Sequence, residues 1–251
     1  LKFGQTIRDD GPQTHLAKQG IPTMGGVIFL VPMVLVGGYF AISDANMTAL
    51  ILTTLGFGIV GFIDDYIKVI RKNKDGLKPK QKMLGLLTVS ACFTAYVIFL
   101  TDAGDKTVIP FVGLDNPLTL PIFVFVPFCI FMLLSYTNAV NLTDGLDGLA
   151  GSITMIVLVF FTVVAMLNDE WNTIKLFCAI LAGSCLGFLA YNLHPAKVIM
   201  GDLGALSLGG AVAAVSILLQ MPFILVIAGM VYFIENISVI LQVGYYKKTG
   251  K

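Results

Sequence analysis

Charge is what this sequence has least of. Only 12% of its 251 residues are Asp, Glu, Lys or Arg, about half the share found in an ordinary soluble domain, so a soluble globule is a poor reading of the chain. Cysteine is also scarce. Cys92, Cys129, Cys178 and Cys185 all fall inside apolar runs, with no paired Cys/His spacing. That excludes a zinc-finger type of site and a disulfide framework, and leaves the four as small packing residues. No G-x-x-x-x-G-K-[ST] run occurs, which excludes a P-loop nucleotidase. No signal peptide is visible, since the chain starts on a polar segment. No nucleic-acid partner is expected.

Long apolar runs are what the chain has instead. Hydrophobic residues make up 57% of it and the mean hydropathy is +0.88. Runs cover 24–42, 47–63, 83–100, 120–136, 148–167, 174–190, 203–221 and 222–243. Each is near the roughly 20 residues that a helix needs to cross the hydrocarbon core. The expectation is an all-α, polytopic transmembrane bundle of eight spans forming one integral-membrane domain over residues 1–251. Only Gln220-Met221-Pro222 separates the last two runs.

The few charges are unevenly distributed. Eight spans place 1–23, 64–82, 137–147, 191–202 and 244–251 on one face, and these segments hold all of the 16 Lys and Arg residues except Lys106 and Lys175. The positive-inside rule makes that face cytoplasmic. The polar clusters fall on the same face, while the opposite loop at 102–119 carries acids but no organised motif.

Asp64-Asp65 closes one apolar run and precedes Lys68, Arg71, Lys72, Lys74, Lys78, Lys80 and Lys82. Adjacent carboxylates repel unless a cation or basic partner sits with them. Hard oxygen ligands beside basic side chains suit Mg²⁺ with a polyphosphate, although the lysines taken singly also fit headgroup anchoring. The stretch NAVNLTDGLDGLAGS at 138–152 sets Asn138 and Asn141 three apart, then Asp144 and Asp147 three apart. On a helix each pair shares a face; capping of the following helix by Thr143 or Asp144 is the plainer alternative. Asp202 sits between Gly201 and Gly204 where another run begins, and helix N-termini favour anions. His194-Pro195 reads as an extended turn. Pro22 to Gly26 is either a loop capping the site or a plain helix start. Glu235, inside the last run, is a candidate because ionisable residues within spans are often functional. Five carboxylates (Asp64, Asp65, Asp144, Asp147 and Asp202) with lysines and asparagines on one face form a set suited to Mg²⁺ and a nucleotide or diphosphate.

Several stretches together resemble the polyprenyl-phosphate N-acetylhexosamine 1-phosphate transferases: PTMGG at 22–26, DDYIK at 64–68, KPKQKMLG at 78–85, NAVNLTDGLDGLA at 138–150, NLHPAKVIMGD at 192–202 and SVILQVGYYKKTGK at 238–251. PTMGG and SVILQV point to the muramoyl-pentapeptide branch. The resemblance implies transfer of phospho-MurNAc-pentapeptide from UDP-MurNAc-pentapeptide to undecaprenyl phosphate, giving lipid I and UMP. It implies dependence on Mg²⁺, a homodimer, and residence in the bacterial inner membrane with a cytoplasmic active site. It makes Asp64, Asp65 and Asp202 the catalytic residues. Asp202, Asp144 and Asn141 become metal ligands. Lys68, Lys72, Lys80, Asn138, Asn141, Asp144, Asp147, Asn192 and Ile199 become contacts to nucleotide or phosphate. The family core has ten spans, of which the first and last are absent here. Leu86, Ile199, Leu203 and Ala205 depart from the family pattern, standing where Gln, an aromatic, Thr and Ser are usual. Relatives that use UDP-GlcNAc, an ion-coupled transporter and an inactive scaffold remain the alternatives.

Overall fold

The computed structural model describes residues 20–71, 76–101, 103–112 and 117–250. Nine α-helices are present among them: α1 Val27–Ala41, α2 Ala45–Val69, α3 Pro79–Leu100, α4 Ile122–Thr143, α5 Leu149–Val164, α6 Asn172–Asn192, α7 Gly201–Leu218, α8 Pro222–Ala228 and α9 Met230–Thr249. Two short 3₁₀ turns, Ala165–Leu167 and Asp169–Trp171, join α5 to α6. Between α3 and α4, residues 103–112 and 117–119 contribute a two-residue antiparallel pair, β1 Lys106–Thr107 with β2 Leu118–Thr119, in the register Lys106↔Thr119. The Val108 amide donates to Gln220 O (2.6 Å), fixing this pair to the α7–α8 turn.

Helix starts follow local chemistry. The Asp44 carboxylate accepts from the Met47 amide at 3.0 Å and caps α2. Pro79 opens α3 at a position where its missing N–H costs nothing, and the Gln81 side chain accepts from the Lys78 amide.

The expected membrane bundle is present, with a different span count. Among the described residues six helices are long and apolar enough to cross, or seven if α8 and α9 count as one span bent by 80°. At 15 residues, α1 falls short of the roughly 20 needed. The last run, read from sequence as one span, breaks at Gly229.

The core is organised around α7, where every residue from Leu203 to Leu218 is buried. Its sequence explains its place: glycine, alanine and serine dominate, and small residues let backbones approach where apolar burial no longer drives association. A side chain on Gly209 would meet the Tyr136 carbonyl of α4, and one on Gly58 of α2 would meet Ser207 Oγ at 2.5 Å. α7 packs most extensively on α2 and α4, α5 packs on α6, and α1 lies against α6 and α2. The outer helices turn Leu35, Phe99 and Phe123 outward, each more than 70% exposed, as lipid-facing side chains are. Cys129, Cys178 and Cys185 are buried, Cys92 is exposed, and all are free thiols, in line with a packing role for the buried three.

Candidate active site

The helix ends that carry the acidic motifs meet at one end of the bundle. The segment 22–26 is tied to the strand-like stretch before α7: Gly25 N donates to Ile199 O (2.9 Å), Gly26 N to Met200 O (3.0 Å), and Ile199 N to Pro22 O (2.8 Å). A Cβ on Gly26 would lie 2.5 Å from Gly204 Cα, so only glycine lets α1 start this close to α7. Both readings of this segment hold, because it starts a helix and braces the site. Gly201 has φ +74, and a side chain there would meet Asp65 Oδ2 at 2.6 Å.

Asp64 and Asp202 form the centre. Asp64 Oδ1 accepts from the Leu77 amide at 2.6 Å. Its Oδ2 lies 2.6 Å from Lys68 Nζ and 3.5 Å from Lys82 Nζ. Asp202 Oδ2 lies 2.7 Å from Lys82 Nζ and 3.1 Å from Lys68 Nζ, and its Oδ1 accepts from Asn141 Nδ2 at 2.8 Å. Two carboxylates this little exposed (3% and 16%) need such partners, since an unpaired buried charge is strongly unfavourable. Their Oδ2 atoms face the same two ammonium groups, so the carboxylates converge on one cationic point. This hard-oxygen pair fits Mg²⁺, which takes one or two carboxylates and completes its shell with phosphate and water. Among the described residues no group of three or more His, Cys, Asp or Glu is placed to hold a metal.

Asp65 faces the other way. It is 5% exposed, and its Oδ2 accepts from the Leu203 amide at 3.0 Å. Met200, the N-cap of α7, gives no side-chain cap, so Asp65 supplies from α2 the acceptor that this helix start lacks.

The remaining expected residues separate into groups. Asn138 and Asn141 share α4 as expected. Asp144 and Asp147 do not share a helix face. Asp144 is the C-cap of α4 and Asp147 lies in the turn before α5, because Gly148 at φ +75 and the turn it closes end the helix there. Neither Thr143 nor Asp144 caps α5, whose N-cap is Gly148. Asp147 Oδ2 meets His194 Nδ1 and the Ala196 amide, each at 3.1 Å. Asn192 is buried, accepts from Gly148 N (3.0 Å) and donates to Val198 O (2.8 Å); it joins the two loops that hold Asp147 and Ile199. Lys80 is exposed on α3, while Lys72 lies outside the described residues. Glu235 is half-buried on α9. Of the four departures, Leu203 and Ala205 are buried in α7, Ile199 is half-buried, and Leu86 lines the charged cavity.

The sequence sets Lys82 in the basic run after Asp64-Asp65, but the resemblance assigns it no contact. Its signal was available: Lys82 lies four residues before buried Leu86 and so shares its face of α3, whereas Lys80 is turned away. A cavity of about 280 Å³ is bordered by Asp64, Lys68, Lys82, Leu86 and Asn138. Asn138 also borders an apolar groove of about 460 Å³ between α4 and α9, lined by Phe131, Tyr136, Phe233, Ile237 and Ile240.

The chain is similar to known proteins of one family. Residues 47–220 match the family described as glycosyl transferase family 4, and residues 18–30 match phospho-N-acetylmuramoyl-pentapeptide-transferase signature 1. The phospho-N-acetylmuramoyl-pentapeptide-transferase of Acetivibrio thermocellus is 54% identical over the whole chain, which covers 75% of that relative. The enzymes of the same name from Clostridium novyi and Staphylococcus aureus are 47% and 43% identical, with 76% and 78% of their lengths covered.

Proposed function

The chain belongs to the phospho-N-acetylmuramoyl-pentapeptide transferases of glycosyl transferase family 4, and we propose that it moves phospho-MurNAc-pentapeptide from UDP-MurNAc-pentapeptide to undecaprenyl phosphate, yielding lipid I and UMP in peptidoglycan synthesis. One observation carries this reading beyond the family. The cavity lined by Asp64, Lys68 and Lys82 and an apolar groove on the bundle share one lining residue, Asn138. A water-soluble diphosphate and a membrane-dissolved phosphate need that junction. The protein is a multi-pass membrane protein; the basic segments around the site favour a site that faces the cytoplasm, and the bacterial relatives favour an inner-membrane location. The acids gather at helix ends, unlike transporter sites near the midplane.

In the reaction, an oxygen of the lipid phosphate attacks the phosphorus that carries the sugar. The bond from that phosphorus to the bridging oxygen breaks, and UMP leaves with that oxygen. Lys68 and Lys82 neutralise charge on the phosphates as the bond breaks, and such preorganised charge is commonly the largest catalytic contribution. Asp64 holds Lys68 in place beside the phosphates. Asp65 positions Asp202 by holding the start of α7. Asn192 keeps the Asp147 and Ile199 loops together as the wall toward the nucleoside. Asp64 and Asp202 would hold Mg²⁺, with Asn141 orienting Asp202, and the ion would screen the diphosphate charge.

The test is UMP release by purified protein in detergent with undecaprenyl phosphate. UDP-MurNAc-pentapeptide and UDP-GlcNAc are supplied in parallel, each with Mg²⁺ or EDTA. Release with the muramoyl donor alone, abolished by EDTA, is expected. Release with UDP-GlcNAc instead would overturn the donor assignment, and none with either donor from folded protein would overturn the transferase reading.

A further inference from the structure

The apolar groove has an unusual wall. Beyond the 80° break at Gly229, α9 supplies Tyr232, Phe233, Asn236, Ile237 and Ile240 to it. Of the 20 residues of α9, Tyr232 is the one that is buried. Elsewhere the helix is half-buried, as at Glu235, Asn236, Ser238 and Val239, or exposed, so Tyr232 is its most deeply packed side chain. The place of this wall therefore depends on what Tyr232 touches.

Two contacts hold the Tyr232 side chain. Its hydroxyl lies 2.5 Å from Thr154 Oγ1 of α5, at a site closed to solvent. Thr154 Oγ1 also lies 2.8 Å from Ala150 O, to which it donates; its proton is thus committed, and Tyr232 is the donor of the shared bond. The Tyr232 ring meets Tyr136 of α4 edge to face at 6.3 Å between centroids. A side chain on Gly229 would lie 3.0 Å from the same ring, so the break and the anchor are packed as one unit. Tyr136 borders the groove from the opposite helix.

We infer that the Tyr232–Thr154 hydrogen bond sets the position of the α9 wall against α4, making Tyr232 a positioning residue for the lipid substrate. The inference rests on the proposed transfer to undecaprenyl phosphate, and it takes this apolar groove as the seat of the polyprenyl tail. Tyr232 is distant in role from the charged cavity, so its loss acts on lipid recognition and leaves the donor side and the chemistry alone.

The variants are Tyr232→Phe, Thr154→Val, Thr154→Ser and the groove-filling Ile237→Trp, assayed by UMP release with undecaprenyl phosphate and the muramoyl donor varied separately. Tyr232→Phe is the mild probe, because Thr154 keeps its bond to Ala150 O. It is expected to raise KM for undecaprenyl phosphate roughly 3- to 10-fold, the worth of one hydrogen bond, with kcat and the donor KM unchanged. Thr154→Val follows it and Thr154→Ser restores the wild-type value. Parallel rises in both KM values, or a fall in kcat, would mean a merely structural role and overturn the inference. A rise with Ile237→Trp but none with Tyr232→Phe overturns the inference and spares the groove. No rise with Ile237→Trp overturns the groove reading itself.

Discussion

Lys82 and Asp202 are 120 residues apart in the chain and 2.7 Å apart in the site. This pair joins the start of α3 to the start of α7, and it places a second ammonium group beside the one that Lys68 brings from α2. Two lysines facing two carboxylates leave the centre nearly neutral before a diphosphate arrives.

Lys82→Met is expected to lower kcat about 100-fold or more, the usual effect of removing one preorganised charge from a phosphoryl-transfer site. Lys80→Ala, on the exposed side of the same helix turn, is expected to stay within about 2-fold, since exposed charges contribute little. Steady-state UMP release measures both. Equal loss in the two variants would show that α3 presents its other face to the substrate.

Gly26→Ala forces a methyl against Gly204. Overpacking of this kind costs about 1–3 kcal/mol, and a chain of this size loses about 2–4 °C in Tm for each kcal/mol. Activity falls with it because Asp202 starts the helix that is pushed away. Gly38→Ala on the same α1 helix is the control: a Cβ there meets nothing within 4 Å, and its Tm is expected to hold or rise slightly. A thermal melt in detergent separates them.

Asn192→Ala leaves the Gly148 amide and the Val198 carbonyl without their partner. An orphaned buried group costs about 1–3 kcal/mol. The two loops it joins carry Asp147 and Ile199, so the expected signature is a lower Tm with a raised KM for the UDP-sugar and little change in KM for the lipid. A selective rise in the lipid KM would contradict this placement.

Asp202→Asn removes one of two carboxylates that balance Lys68 and Lys82 while keeping the shape of the side chain. Turnover is expected to fall about 1,000-fold or more, because the cationic point loses half of its anionic partner and the hard-oxygen pair that suits Mg²⁺ is broken. Titration with Mg²⁺ is the check: a raised Mg²⁺ requirement is expected, and an unchanged Mg²⁺ requirement would show that Asp202 does not belong to the ion's site.

Much of this protein is visible in its residue order because lipid imposes a simple rule. A backbone without water must satisfy itself, so apolar runs of membrane length become helices, and the runs at 47–63, 83–100, 120–136 and 203–221 do. The face that carries the acids is legible for a related reason: charge is excluded from hydrocarbon, so Asp64, Asp144, Asp147 and Asp202 stand at helix ends or in turns. Glycine and small residues in 201–216 likewise mark α7 as the helix that others surround.

What residue order left undecided was which side chains share a point in space. Asp64 and Asp65 are neighbours in the chain, yet α2 turns one to the lysines and the other to the α7 amides, because residues one apart on a helix lie about 100° around it. Lys80 and Lys82 divide in the same way. Asp144 and Asp147 carry helical spacing but lie in the turn that Gly148 closes. The break at Gly229 and the anchor at Tyr232 also belong to the tertiary structure alone, since 222–243 is apolar throughout except Glu235 and a few polar side chains. Hydropathy is a property of each segment, and the sequence determined it; convergence on Asp202 depends on the rotation and crossing of four helices, which only their packing decides.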